Sequence, residues 1–234
     1  MPIRVAFDLD GTLADMHVVL RREAEQLFGE TQLATAVEPS GASTGDQEEP
    51  ESDKVMAELH LSDRQQMQLW DHVKTVENFW CGLPEMEPGI VARLAETATA
   101  RRWEVLFVTT RPLVAGETVQ IQSQRWLEAH GFQYPSVFVV HRSRGKIADA
   151  LELDAVVDDR PENCVDIAVD SRAMPILIWP GDESLLPPGT KRLGVRVTTS
   201  ISEALDTLIR LDDAKNEPGV VRSLKKLFKK ETPV

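Results

Sequence analysis

Asp8-Leu9-Asp10-Gly11-Thr12 sets two carboxylates two residues apart, directly after a segment whose apolar side chains fall at every second position (Ile3, Val5, Phe7). A strand ending this way projects Asp8 and Asp10 toward one site while Leu9 turns into the protein. Carboxylates that close repel, and one would be held protonated unless a cation removed the penalty. With a divalent cation beside it, Asp8 stays ionised near neutral pH and is available as a nucleophile. Gly11 lets the chain turn sharply, and Thr12 offers a hydroxyl to loop amides or carbonyls. Taken alone, the same five residues also describe a solvated acidic turn.

Three further clusters carry groups that a phosphate site needs. Thr109-Thr110-Arg111-Pro112 follows an apolar run (Val105, Leu106, Phe107, Val108) with hydroxyls and a guanidinium, donors suited to phosphate oxygens. Lys146 stands at a helix start after Ser143-Arg144-Gly145, and Asp158-Asp159-Arg160-Pro161 closes the run Ala155-Val156-Val157 with a second carboxylate pair. Each has an ordinary reading too: a structural threonine, a solvated lysine, a helix N-cap. A nucleotide P-loop at Gly145-Lys146 is excluded, because Val140 holds the place of its first glycine and Ile147 follows the lysine where Ser or Thr is required.

The elements that must position these groups alternate strand and helix. Helical spacing at 90–101, 119–130, 145–151 and 161–169 separates strand-like segments at 3–7, 104–109, 136–140, 155–157 and 175–179. Such alternation implies a Rossmann-like α/β three-layer sandwich with a mostly parallel sheet, whose ligands bind at the carboxyl ends of the strands. All four clusters fall on that edge. Between the first two, 16–28 and a segment from about 61 to Phe79-Trp80 read as two helices of a small cap inserted after the first strand. Residues 34–54, with Gln47-Glu48-Glu49-Pro50-Glu51-Ser52-Asp53, offer little to bury and read as a flexible acidic loop. The expected division is therefore 1–15 with 84–212 as core, 16–83 as cap, and 213–234 as linker and basic tail.

Phe7-Asp8-Leu9-Asp10-Gly11-Thr12-Leu13 closely resembles the first motif of the haloacid-dehalogenase (HAD) superfamily. The strand into Thr109-Thr110 resembles the second, Lys146 the third, and Val156-Val157-Asp158-Asp159-Arg160 the fourth. The resemblance implies a phosphatase in which Asp8 forms an aspartyl-phosphate, and Asp10 serves as general acid and base and lends its main-chain carbonyl to the metal. It implies that Thr109 binds a phosphate oxygen, with Thr110 the alternative register, and that Lys146 neutralises Asp8 and the phosphoryl group. Mg2+ is the implied cofactor, held at Asp8, Asp10, Asp158 and Asp159. Glu77-Asn78-Phe79-Trp80 and Leu83-Pro84-Glu85-Met86-Glu87-Pro88-Gly89 look like the 5′(3′)-deoxyribonucleotidase branch, which implies a nucleoside 5′-monophosphate as substrate.

Phe79, Trp80 and Trp70 then either stack on a base or form the core of the cap, and Arg111 either meets a second phosphate or ribose or pairs with a local carboxylate. Sugar phosphates, nucleic-acid 3′ ends and a catalytically silent phospho-ligand scaffold are the competing readings. Among the bulk properties, a net charge of −12 argues against a broad nucleic-acid surface. Apolar and charged contents of 42% and 27% are those of a globular protein, and no run is long enough for a membrane span. No secretory leader is evident, which implies a cytoplasmic address. Cys81 and Cys164 have no metal-type spacing. In the tail, Arg222, Lys225, Lys226, Lys229 and Lys230 surround Val221, Leu224, Leu227 and Phe228, either as a partner-binding amphipathic element or as a solvated end.

Overall fold

The computed structural model describes residues 2–29 and 61–216. The acidic segment at 34–54 and the basic tail lie outside the described residues. Six strands form one sheet: β1 (Arg4–Phe7), β2 (Glu104–Thr109), β3 (Ser136–Val139), β4 (Ala155–Asp158), β5 (Met174–Ile178) and β6 (Arg196–Thr198). Their order is β3-β2-β1-β4-β5-β6 and every pairing is parallel. The strand order reverses beside β1, so the loop leaving β1 sits at the switch point where such sheets bind ligands.

The period of two along each strand loads both faces with apolar residues, as a doubly covered sheet requires. Val5, Phe7, Phe107, Val157 and Ile176 face one core, which helices α3 (Ile90–Arg101), α4 (Val119–Ala129) and α8 (Ile201–Asn216) cover with Leu94, Trp126 and Leu208. Ala6, Val108 and Val156 face the other, where α5 (Arg144–Ala150) and α6 (Pro161–Asp170) supply Ala148 and Ile167. A short α7 (Gly189–Arg192) precedes β6. α8 continues through Asn216, where the sequence suggests a linker from 213. Its last turns are anchored: Asp212 is buried against Arg101 at 3.0 Å and Lys215 reaches Asp154 at 2.6 Å.

The cap elements are α1 (Met16–Phe28), α2 (Asp63–Val73) and a 3-10 turn (Phe79–Gly82). Asp15 caps α1 by accepting from the Val18 amide at 3.1 Å, and Ser62 with Gln65 forms a capping box on α2. The two helices meet through Leu20, Ala24, Leu69 and Val73. α2 stops at Val73 instead of running on to Phe79-Trp80, because the next residues bond to the loop before α4. The Lys74 carbonyl accepts from the Ala115 amide, and the Asn78 amide donates to the Ala115 carbonyl. Asn78 then adopts a left-handed φ of 55° and its Oδ1 accepts from the Glu117 amide. Entry to and exit from the cap are tied at the loop after β1: the Asp15 amide donates to Pro84 and the Met86 amide to Leu13, both at 2.8 Å. Among the described residues, no helix is long and apolar enough to cross a membrane.

Candidate active site

The turn after β1 is fixed by its own backbone. The Asp8 amide bonds to the Val157 carbonyl at 2.9 Å, and the Leu13 and Ala14 amides both close onto the Leu9 carbonyl at 2.8 and 2.7 Å. Gly11 sits at a φ of 77°, the left-handed region that a side chain disfavours. Asp8 and Asp10 are thereby held almost out of solvent, at 3% and 2% exposure. Buried carboxylates need partners, and each of these two has a guanidinium.

Arg111, at the end of β2, grips Asp10 from the side. Its Nε lies 3.0 and 2.8 Å from the two carboxylate oxygens and its Nη2 2.6 Å from Oδ1. The Arg111 Nη1 donates to Ser123 Oγ at 2.9 Å, and the guanidinium carbon lies 4.9 Å from the centre of the Trp80 ring. Of the two readings the sequence leaves for Arg111, the structure shows the local pair. Trp80 is fully buried, donates its indole N–H to the Pro112 carbonyl at 3.1 Å, and meets Phe79 edge-on at 4.9 Å. Phe79 therefore belongs to the core beneath the site, and one face of Trp80 is spent on Arg111. Trp80 also lines the cavity beside Asp10.

Arg144, the first residue of α5, stands beside Asp8 where the family resemblance implies Lys146. Its Nη2 lies 2.5 Å from Asp8 Oδ1 and its Nε 3.9 Å from Asp158 Oδ2. Lys146 is exposed on the opposite side of the helix. The reason is local: Ser143 caps α5 by accepting from the Lys146 amide, so Arg144 and Lys146 are first and third in the helix and point about 200° apart. Arg144 reaches the carboxylate because α5 packs very closely on α6. Asp166 accepts from both Ser143 Oγ and the Gly145 amide. A β-carbon on Gly145 would fall 2.3 Å from the Asp166 carbonyl oxygen.

Thr109 is buried with its hydroxyl accepting from the Arg111 amide at 3.3 Å, whereas Thr110 lines the adjacent cavity. Asp158 is buried and already occupied, accepting from the Arg160 amide at 2.9 Å and from Asn163 Nδ2 at 3.1 and 3.0 Å. Asp159 is half-buried and near enough to act on Asp8 electrostatically. Burial pushes the Asp8 carboxyl well above its ordinary range; Arg144 opposes this, while Asp158, Asp159 and Asp10 add to it. Asp158 is raised as well, again first by burial.

Asp8, Asp10, Asp158 and Asp159 gather at one edge, where Arg111 pairs with Asp10 and Arg144 with Asp8 and Asp158, and Asp8 Oδ2 is buried with no hydrogen-bond partner. The orphaned oxygen among four carboxylates fits a hard divalent cation. Among the described residues, no three acidic, histidine or cysteine side chains form a metal cage by themselves. That suits Mg2+, which takes one or two carboxylates and completes its shell with water and main-chain oxygen.

A cavity of about 630 Å³ opens beside Asp10. Thr110, Arg111 and Asp10 lie at its floor, Met16, Met67 and the half-buried Trp70 along its walls, and His141 and Lys74 at its rim. Of the aromatic residues weighed from sequence, Trp70 is the one that lines this space without being consumed by the core. Arg144, Ser123 and Asn163 have no place among the sequence-derived site residues. The signal available for Arg144 was Ser143 as an N-cap, which sets the phase of α5.

No protein-family model and no curated protein matches this chain. Among solved structures, the fold is similar to that of a predicted phosphatase from Clostridium acetobutylicum, with 14% identity over 90% of this chain and 99% of that one and a TM-score of 0.56. It is also similar to a HAD family hydrolase from Deinococcus radiodurans R1 with bound phosphate and sodium, with 16% identity, coverage of 89% and 96%, and a TM-score of 0.50. The likeness to these two structures is one of fold, a six-stranded parallel sheet covered by helices.

Proposed function

We propose that this protein is a Mg2+-dependent phosphomonoesterase in which Asp8 is the covalent nucleophile, acting on nucleoside 5′-monophosphates. The observation that carries the reading is the Asp8 carboxylate itself: buried at the switch point of a parallel sheet, paired to Arg144 through Oδ1, and unpartnered at Oδ2. Burial this complete, with three further carboxylates nearby, raises the proton affinity of Asp8, and Arg144 opposes it. Arg144 and a cation are what make it a nucleophile.

In the forward step an Asp8 oxygen attacks phosphorus, the bond from phosphorus to the leaving oxygen breaks, and that oxygen takes a proton from Asp10. Water then attacks the aspartyl-phosphate, gives a proton to Asp10, and the Asp8–phosphorus bond breaks to release phosphate. Both Asp10 oxygens are engaged by Arg111, so proton transfer needs that pair to loosen as substrate enters. Arg144 stays on the nucleophile and offsets charge on the phosphoryl oxygens. Thr110 donates its hydroxyl to one of them. Asp8, Asp159 and the Asp10 carbonyl are the residues that would hold Mg2+, with Asp158 supporting through its bonds to Arg160 and Asn163. When bound, the cation neutralises the carboxylate edge and the transferring phosphoryl group.

The substrate class rests on the cavity. A nucleoside fits its 630 Å³ with the phosphate at Thr110 and the base along Trp70. Phosphate release should be measured across nucleoside 5′-monophosphates, sugar phosphates and 3′-phosphorylated oligonucleotides, with and without Mg2+. Mg2+-dependent release that disappears in Asp8→Asn is expected, with mononucleotides preferred. Release that survives in Asp8→Asn would refute the mechanism, and preference for a sugar phosphate would refute the substrate class alone.

A further inference from the structure

The turn after β1 separates two openings, one lined by basic and acidic side chains together and the other by carboxylates. The second, about 580 Å³, lies over the ends of β4, β5 and β6 and is lined by Thr12, Asp15, Glu87, Asp159 and Trp179. Asp159 faces this opening and not the first, whereas Asp10, Thr110 and Arg111 face the first and not this one. We propose that this second opening is the entry route of the divalent cation, separate from the cavity that admits the phosphorylated substrate. The inference rests on the metal-dependent reading above.

The charges divide accordingly. The first cavity presents Arg111, Lys74 and His141, with two of its three carboxylates, Asp10 and Asp71, engaged by Arg111 and Lys74. The second presents Asp15, Glu87 and Asp159, with His17 as the one side chain able to carry positive charge. Asp15 accepts from the Val18 amide at 3.1 Å, and Glu87 accepts from the Ile201 amide at 2.9 Å and from the Ser202 hydroxyl. Thr12 Oγ1, 1% exposed and lining the second opening, has no hydrogen-bond partner. A buried hydroxyl left unpaired is costly, and a hydrated cation moving toward Asp159 brings the partner it lacks. A cleft walled by one sign of charge also concentrates its counter-ion and accelerates capture, by about 10- to 1,000-fold in known cases. An anionic phosphomonoester is repelled from this opening by the same field.

Stopped-flow association of Tb3+, a hard oxygen-seeking stand-in for Mg2+ whose emission nearby tryptophans such as Trp179 sensitise, tests the route without turnover. Asp15→Asn keeps an N-cap side chain and is expected to slow association by about two- to fivefold at low ionic strength, with the difference shrinking in high salt. Gly181 borders the same mouth with only ordinary contact to Trp179, so Gly181→Leu narrows the opening and is expected to slow association and dissociation alike while leaving the equilibrium unchanged. Met67→Phe, in the wall of the first cavity, is expected to leave the rate as in the unaltered protein. Tb3+ that binds and is displaced by Mg2+, but at unaltered rates in Asp15→Asn and Gly181→Leu, would overturn the route alone. No uptake at all would overturn the cation reading and the route together.

Discussion

Arg144→Met and Lys146→Met, compared side by side, separate the arrangement found here from the one that sequence spacing suggests. Arg144 is 6% exposed and its Nη2 lies 2.5 Å from an Asp8 oxygen that is itself nearly inaccessible. Removing one partner of a buried pair typically costs about 3–5 kcal/mol, because the remaining charge is stranded. At about 2–4 °C per kcal/mol for a chain of this size, the metal-free Arg144→Met protein should melt roughly 10 °C lower near neutral pH. The loss should shrink on acidification, because Asp8 then takes up a proton and needs no counter-ion. Saturating Mg2+ should recover part of it. Loss of one preorganised charge partner in phosphoryl transfer should lower kcat/KM by about 100- to 1,000-fold. Lys146→Met touches only an exposed helix position and should stay within about 0.5 kcal/mol of the unaltered protein. Circular-dichroism melting with and without Mg2+, together with phosphate release, reads both variants. An Arg144→Met enzyme of ordinary activity, or a Lys146→Met enzyme that is dead but folded, would refute the assignment.

Three further outcomes follow from the geometry. Gly145→Ala drives a β-carbon to 2.3 Å from the Asp166 carbonyl oxygen, so α5 must lift from α6; about 1–3 kcal/mol of destabilisation is expected, with kcat falling more than KM rises as Arg144 moves off Asp8. Trp70→Ala removes the one cavity-lining aromatic free of the core, and about 1–3 kcal/mol of substrate affinity should go with it, seen as a raised KM for mononucleotides and not for inorganic phosphate as inhibitor. Asp8 and Asp158 bind their protons more tightly folded than unfolded, where their ordinary value is 3.8. Their contribution to stability is therefore full below that value and is lost as pH rises through the raised folded values. The metal-free protein should melt higher at about pH 5 than at about pH 7, and saturating Mg2+ should reverse the trend; a metal-free melting point that stays level or rises from about pH 5 to about pH 7 would contradict it.

Much of this was legible before any coordinates, because it depends on local periodicity. Ile3, Val5 and Phe7 announce β1, and the alternation of strands with helices implies the covered parallel sheet. The placement of Asp8, Asp10, Thr109, Thr110, Asp158 and Asp159 at strand ends follows from the same pattern. β6 was missed because it is three residues long, and the Arg196-Val197-Thr198 segment has too few alternations to register. The end of α2 was missed for a different reason: Val76, Phe79 and Trp80 keep a helix-like apolar spacing, but hydrogen bonds from the loop around Ala115 claim the backbone at Lys74 and Asn78. The family resemblance points to Lys146 as the cation beside Asp8, whereas the phase of α5 brings Arg144 there. One capped residue, Ser143, fixes that phase, and the contact it produces spans 136 positions of sequence.

The two arginines also explain how such an edge folds before any cation arrives. Four carboxylates gathered at one end of a sheet would repel one another by several kcal/mol in a low-dielectric setting, and each would resist ionising. Arg111 meets Asp10 with both ends of its guanidinium and is held by Ser123 and Trp80, so it is a fixed counter-ion. Arg144 meets Asp8 through one nitrogen, and its Nη1 has no hydrogen-bond partner. The first pair is built to stay and the second to be shared. On the proposed mechanism, a phosphoryl group arriving at Asp8 would find a guanidinium with one nitrogen still unspent, whereas all three nitrogens of the arginine beside Asp10 are engaged. Nucleophile activation and leaving-group protonation would then fall to two ion pairs of unequal rigidity. Exchange of Arg144 for lysine, which keeps charge but not the second nitrogen, should accordingly lower kcat while sparing most of the fold.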